Sequence, residues 1–258
     1  MSKVIVITGA SSGIGAATAH LLAKRGHSLA LAARSKDVLE RVAQDCGSKA
    51  IAVVTDVTDR AQVNTLVTRT IDRLGPIDAW INNAGQGITR EPSQLTDEDV
   101  DTMVRVNIKS VLYGMQAILP HFRGRGAGQI VNVSSFLSRV PMASIRSAYS
   151  ASKAALNSLT ANLRMDLAAS DPGIHVTLVM PGLVATEFAQ HAVHGTPPIR
   201  PGAGGAPSQT ADEVAAVIVR AIDEPVAEVF TNPALAGISR KYFDDVAAFE
   251  RGMRQPPQ

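Results

Sequence analysis

Apolar positions along the chain follow two alternating patterns. Short runs of β-branched and small apolar residues recur at 3–8, 28–33, 50–55, 77–81, 129–134, 175–179 and 227–230. Between them lie stretches with helical spacing, at 14–25, 36–46, 60–74, 97–122, 148–169 and 211–223. Most of the short runs are continuously apolar rather than alternating, as strands covered on both faces must be. This alternation predicts a doubly wound α/β fold: a single-domain parallel sheet of about seven strands, with right-handed crossovers and helices on both faces. No solenoid period is visible, and no linker divides the first 180 residues.

One stretch breaks the regularity. Residues 187–210 hold four prolines and four glycines with little periodicity. A loop that long inside a compact domain is read here as a substrate lid, with a plain surface excursion as the other reading. The tail, 232–258, carries Tyr242, Phe243 and Phe249 at roughly helical spacing. It either covers a neighbouring active site or finishes the core.

Composition narrows the classes. With 45% apolar and 19% charged residues in 258, the chain can bury a core and is not a disordered one. A net charge of +2 and only ten aromatics argue against nucleic acid as a partner. Cys46 is alone, which excludes an intrachain disulfide and a multi-cysteine metal cluster, and suits a reducing compartment. No stretch approaches the ~20 apolar residues of a spanning helix. The opening run at 3–8 is too short for a secretory signal. A soluble, cytoplasmic protein without a membrane partner is expected.

The candidate chemistry begins after the first strand. Thr8, Gly9, Ala10, Ser11, Ser12, Gly13, Ile14 and Gly15 run from that strand into the first helix. Glycines there let the backbone approach a pyrophosphate, and the helix N-terminus offers free N–H groups and a positive dipole end. At the first strand–helix junction this pattern reads as a dinucleotide site. After the second strand an NAD site would place a carboxylate for the ribose. The sequence has Ala32, Ala33, Arg34 and Ser35 instead, and a guanidinium can pair with a 2′-phosphate. NADP(H) is therefore preferred over NAD(H), with Ser11, Ser12 or Ser35 assisting. Asp56 and Val57, after the third strand, are placed to touch the adenine, although Asp56 equally suits a helix cap.

Tyr149 and Lys153 stand four apart on one helix face. A phenol is a poor base at neutral pH, and a nearby ammonium favours its ionised form. The pair can thus exchange a proton with a substrate oxygen, and Lys153 can also reach a ribose hydroxyl. Ser134 and Ser135 fall at the carboxyl end of the fifth strand, the edge where open α/β sheets bind ligands. A hydroxyl there can donate to a developing alkoxide. Asn82, Asn83, Ala84 and Gly85 end the fourth strand, small enough to let a nicotinamide ribose lie close. Asn107 falls inside a helix, as a helix irregularity, a solvated amide or a functional group.

In order, TGASSGIG, DV, NNAG, an isolated Asn, VNVSS, YSASK and PGLVAT resemble the short-chain dehydrogenase/reductase family, in its compact single-domain branch. The similarity runs from residue 3 to about 223. It implies that Tyr149 is the proton donor and acceptor, and that Lys153 lowers the tyrosine pKa and binds the nicotinamide ribose. Ser135 would polarise the carbonyl, and Asn107 would hold a water that relays protons from the lysine. Pro181, Gly182, Val184 and Thr186 would line the nicotinamide, and the following segment would be the substrate loop. One departure stands out. The family's usual serine-to-tyrosine offset is thirteen, which would land on Phe136, whereas Ser135 to Tyr149 is fourteen. One extra residue in the intervening loop keeps Ser135 in place, with Ser134 and Ser138 as fallbacks.

The reaction expected is interconversion of a small ketone or aldehyde and an alcohol. A homotetramer or dimer built on helices 97–122 and 148–169 is implied by the family. The rival readings are a non-catalytic NADP(H) redox sensor, an NAD-dependent alcohol dehydrogenase, or an epimerase or dehydratase. The last group usually has more chain than the roughly 70 residues that follow Thr186. His191 and His194 read as exposed or substrate-facing rather than as metal ligands, since no third ligand accompanies them. Arg139 and Arg146 read as solvated loop charges, with an anionic substrate as the other possibility. Arg123 and Arg125 read as a charged turn, and Cys46 as a small packing residue.

Overall fold

The computed structural model describes residues 2–196 and 208–254. Seven parallel strands, β1 (Val4–Thr8), β2 (Ser28–Ala33), β3 (Ala50–Val54), β4 (Ala79–Asn82), β5 (Gly128–Val133), β6 (Ile174–Met180) and β7 (Glu228–Phe230), form one sheet. Their order is β3-β2-β1-β4-β5-β6-β7. The chain therefore winds outward from β1 to β3, returns to the centre, and winds the other way from β4. Between the carboxyl ends of β1 and β4 lies the crevice that such a reversal opens.

The continuous apolar runs have a direct cause. On β1, Ile5 and Ile7 face one helical layer while Val6 faces the other. On β2, Leu29 and Leu31 alternate with Ala30 and Ala32 in the same way. One layer is built from α1 (Gly13–Lys24), α2 (Lys36–Asp45) and, later in the chain, Ala211–Asp223. The opposite layer holds α3 (Arg60–Leu74) and the long helices that follow β4 and β5. Helix α3 starts where its Asp59 carboxylate accepts from the N–H groups of Ala61 and Gln62, and it stops at Gly75 with φ 92°.

The long helix expected over 97–122 is interrupted. Helix α4 (Asp97–Val104) opens with a capping box between Thr96 and Asp99. A π-helical turn, Arg105–Lys109, then joins it to α5 (Ser110–Arg125). Such turns insert one extra residue and redirect side chains, and this one contains Asn107. Helix α6 (Ser147–Ser170) follows β5, and α7 (Ala211–Asp223) precedes β7.

Residues 232–254, without assigned elements in the sequence reading, form α8 (Ala234–Asp244) and α9 (Val246–Arg254). Leu235 joins Phe136 and Val140 in a small apolar cluster, against which Tyr242 and Phe249 pack. The described tail thus closes a satellite core behind the Ser135 loop of its own chain. No described helix is long and apolar enough to cross a membrane.

Candidate active site

The carboxyl ends of six strands, β1 to β6, supply the site. After β1, Gly9 adopts φ 66°, and a Cβ there would lie 2.7 Å from the Ala84 Cα. A Cβ on Gly15 would meet the Gly9 carbonyl oxygen at 2.2 Å. The first turn of α1 can therefore press against the strand end only because both residues are glycine. Asn83 fastens the two strands: its amide donates to the carbonyls of Thr8 (3.0 Å) and Gly9 (3.1 Å). The Thr8 hydroxyl accepts the backbone N–H groups of Asn83 and Ala84 in return. Ser12 caps α1 without a side-chain bond to its own helix, so its hydroxyl is free for a ligand. This cradle fits the phosphates of a dinucleotide: close backbone approach, a helix N-terminus and uncommitted hydroxyls converge.

At the end of β2, Arg34 is exposed. Asp56 turns out not to cap α3, because Asp59 does so. Its Oδ1 holds Thr58 instead, accepting from the N–H (2.9 Å) and the hydroxyl (2.8 Å). Val57 follows it in that turn.

After β4, Gly85 faces two polar groups: a Cβ would sit 3.2 Å from the Asn107 Oδ1 and 3.4 Å from the Lys153 Nζ. Asn107 is fully buried, so the solvated reading is overturned. Its amide forms a closed pair with the Gln86 backbone, accepting its N–H and donating to its carbonyl, each at 2.9 Å. A further bond reaches the Ser152 hydroxyl at 3.1 Å. The π-turn is what aims this amide at the strand end.

The two serines after β5 divide. The Ser134 hydroxyl turns inward to the Asn157 Oδ1 at 2.6 Å. Asn157 then donates to the Ser138 hydroxyl at 2.7 Å, and Ser138 donates to the Ser135 carbonyl. Ser135 alone lies against the Tyr149 phenol. The chain then enters the tight turn Phe136–Ser138, pinned by the Phe136 N–H to the Pro181 carbonyl at 2.7 Å. Both fallback serines are committed to the supporting chain.

Tyr149 and Lys153 are both buried on α6. Burial pushes the phenol pKa up, opposed by the Ser135 hydroxyl and by the charge of Arg146. Arg146, three residues before the tyrosine, is thus a cation acting on the phenol in addition to the neighbouring Lys153. Burial brings the Lys153 ammonium down to about 8. Its Nζ donates to the Val133 carbonyl at 2.9 Å and stands 5.9 Å from the tyrosine ring centroid.

The stretch after β6 closes the site from above. Thr186 reaches the glycine turn, where a Gly13 Cβ would lie 3.3 Å from its Cγ2. Gly182 faces Leu235, and Val184 packs on the main core. Ala185 donates its N–H to the Gln209 carbonyl and Gln209 donates to Leu183, each at 2.8 Å. The excursion expected as a lid is thus tied at its neck. Its residues 197–207 lie outside the described residues.

Phe188, near the neck, brings its ring centroid to 5.7 Å from that of Tyr149. His194 bonds the Asp99 carboxylate at 2.7 Å, and Arg90 pairs with the same carboxylate at 2.8 Å. The N–H of Thr96 leads these partners in holding Asp99 well below the usual carboxylate range. Arg139 pairs with Glu228, Arg123 with Asp171 and Arg125 with Asp78. Cys46 packs against the core, and burial raises its thiol to about 11.

Sequence reasoning overlooked Asn157, Phe188 and Gln86. Asn157 had a signal, since 149, 153 and 157 form one stripe at fourfold spacing on α6. The other two had none.

The site and fold together define a dinucleotide-dependent oxidoreductase scaffold, and the comparisons identify it. Residues 3–196 match the short chain dehydrogenase family. The chain belongs to that family of oxidoreductases. An uncharacterized oxidoreductase of Staphylococcus haemolyticus is 38% identical over 227 residues, spanning 86% of this chain and 92% of that protein. A short chain dehydrogenase/reductase of Burkholderia phymatum, solved with NAD, superposes with a TM-score of 0.85 at 28% identity, covering 100% of this chain and 97% of that one. An alcohol dehydrogenase of Thermococcus sibiricus, solved with 5-hydroxy-NADP, gives 0.76 at 28% identity, covering 89% and 96%.

Proposed function

We propose that the chain is an NADP(H)-dependent oxidoreductase that interconverts a small ketone or aldehyde and the corresponding alcohol. The observation that carries this is the convergence of the Tyr149 phenol, the Ser135 hydroxyl and the Lys153 ammonium beside the glycine cradle. When bound, the nicotinamide supplies or accepts the hydride. Ser135 holds the substrate oxygen by a hydrogen bond that strengthens as charge develops. Tyr149, kept protonated at neutral pH by its burial, donates the proton to that oxygen during reduction and takes it back during oxidation. Lys153 positions the ribose, and Asn107 orders the Gln86 backbone beside it and holds the proton-relay water. Gly9, Ser11, Ser12, Gly13, Ile14 and Gly15 bind the phosphates, Arg34 the 2′-phosphate, and Asp56 with Val57 the adenine. Asn83, Ala84 and Gly85 flank the ribose, while Pro181, Gly182, Val184 and Thr186 flank the nicotinamide. Residues 187–210 form the substrate lid of a single domain. A soluble, cytoplasmic homotetramer or dimer completes the reading.

Two measurements test it. Calorimetry with NADPH and NADH on the wild type and Arg34→Ala is expected to show tight NADPH binding that falls toward the NADH value in the variant. Equal binding of both cofactors, indifferent to Arg34, would overturn the NADP preference. In a carbonyl-reduction assay, Tyr149→Phe and Ser135→Ala are each expected to lose roughly 10²–10⁴-fold in kcat with cofactor binding retained. Near-wild-type turnover in either variant removes that residue's role.

A further inference from the structure

Arg146 occupies the N-cap of α6, one turn before Tyr149. Its guanidinium is half-buried, and desolvation lowers its pKa. Nη1 donates to the Ile88 carbonyl at 2.9 Å, which fixes the group beneath the loop after β4. A Cβ on Gly87 would come within 2.9 Å of that nitrogen and 3.0 Å of the Phe188 ring, so glycine leaves the space in which the two side chains meet. Phe188 in turn lies against Tyr149. The guanidinium, the aromatic wall and the reacting phenol therefore share one compartment.

No described acid lies within ion-pair distance of Arg146, whereas its loop neighbour Arg139 pairs with Glu228. A guanidinium has five N–H donors in a planar fork matched to a carboxylate. With a single donor committed to Ile88, the remainder of the fork is available. Retaining a desolvated cation without a counter-charge is unfavourable unless a ligand provides one.

We propose that Arg146 is a specificity-determining residue that docks the carboxylate of the substrate, making the substrate class a short oxo acid and its hydroxy acid. The guanidinium's charge acts on the phenol and both groups border the Phe188 ring, so a carboxylate held by Arg146 would lie close to the reacting carbonyl. The inference rests on the oxidoreductase reading and deepens it.

The test compares 2-oxo and 3-oxo butanoate with their methyl esters, using NADPH and NADH in parallel. The wild type is expected to reduce one of the acids with the higher kcat/KM. Arg146→Met is expected to raise the KM for that acid roughly ten- to hundredfold while leaving the ester within about threefold. Arg146→Lys should restore part of the preference. An Arg146 that acted only by tuning Tyr149 would instead shift the pH profile for acid and ester alike, and this result overturns the proposal. Reduction of the esters as fast as the acids by the wild type also overturns it, with the oxidoreductase reading intact. Turnover of neither acid nor ester, alongside turnover of an uncharged ketone, does the same. Turnover of no carbonyl at all removes both readings together.

Discussion

The division between Ser134 and Ser135 shows how one residue's surroundings assign its work. Both hydroxyls follow the same strand, yet Ser134 is bonded to Asn157 and only Ser135 meets the phenol. Lys153 carries a different tension. Its folded pKa of about 8 lies below the ordinary lysine value, so between those two pH values the unfolded chain binds the extra proton. Stability from this group therefore rises with pH across that window, and below about 8 the buried ammonium is a burden of up to about 3 kcal/mol. Lys153→Met, free of that burden, is expected to gain on the wild type in urea melts at pH 7. The gap should narrow by pH 9.5. A gap independent of pH would mean that the ammonium is not strained by its burial. At this scale the sequence was informative for the hydroxyl, phenol and ammonium, because each is the residue type the chemistry needs. It left Arg146 between a solvated charge and a contact to an anionic substrate, since a loop arginine looks the same in sequence whether it faces solvent or a substrate.

At the level of elements, legibility followed burial. The strands β1 and β2 were plain because both faces are covered and every position but Thr8 and Ser28 is apolar. The π-turn within 97–125 was invisible: an extra residue in a helix changes the direction of its side chains without altering their apolar rhythm. Helices α8 and α9 showed only as the helical spacing of Tyr242, Phe243 and Phe249, because they bury only a narrow face, with Leu235 their single buried side chain among the described residues. The glycine turn, by contrast, was readable, and its packing gives a sharp expectation. Gly15→Ala places a methyl 2.2 Å from the Gly9 carbonyl, in a contact between two backbones that cannot swing aside. A loss of about 1–3 kcal/mol in stability is expected, with cofactor affinity reduced along with it. Gly26→Ala provides the comparison, since that position has open space and only its φ of 83° to strain it. Equal stability of wild type and Gly15→Ala would show that α1 is free to retreat from the strand.

Across the whole molecule, the sheet order places the two halves of the site on segments far apart in the chain. Glycine turn and Thr186 meet although more than 170 residues separate them. The fold class was legible because strand–helix alternation admits few arrangements once right-handed crossovers are required. What the substrate meets was not, for it depends on Arg146, Phe188 and the segment beyond the neck, which no periodicity constrains. The neck itself has a consequence for how such a molecule changes over generations. Leu183, Ala185 and Gln209 close a loop whose ends are already held together. The entropy of closing it grows only with the logarithm of its length, about 0.6 kcal/mol per doubling. A change of length between Gly195 and Gln209 is therefore expected to cost the sheet little, while the contacts of Thr186, Phe188 and His194 limit exchange nearer the neck. New substrate preferences become accessible to the lineage through insertion and deletion as well as through substitution.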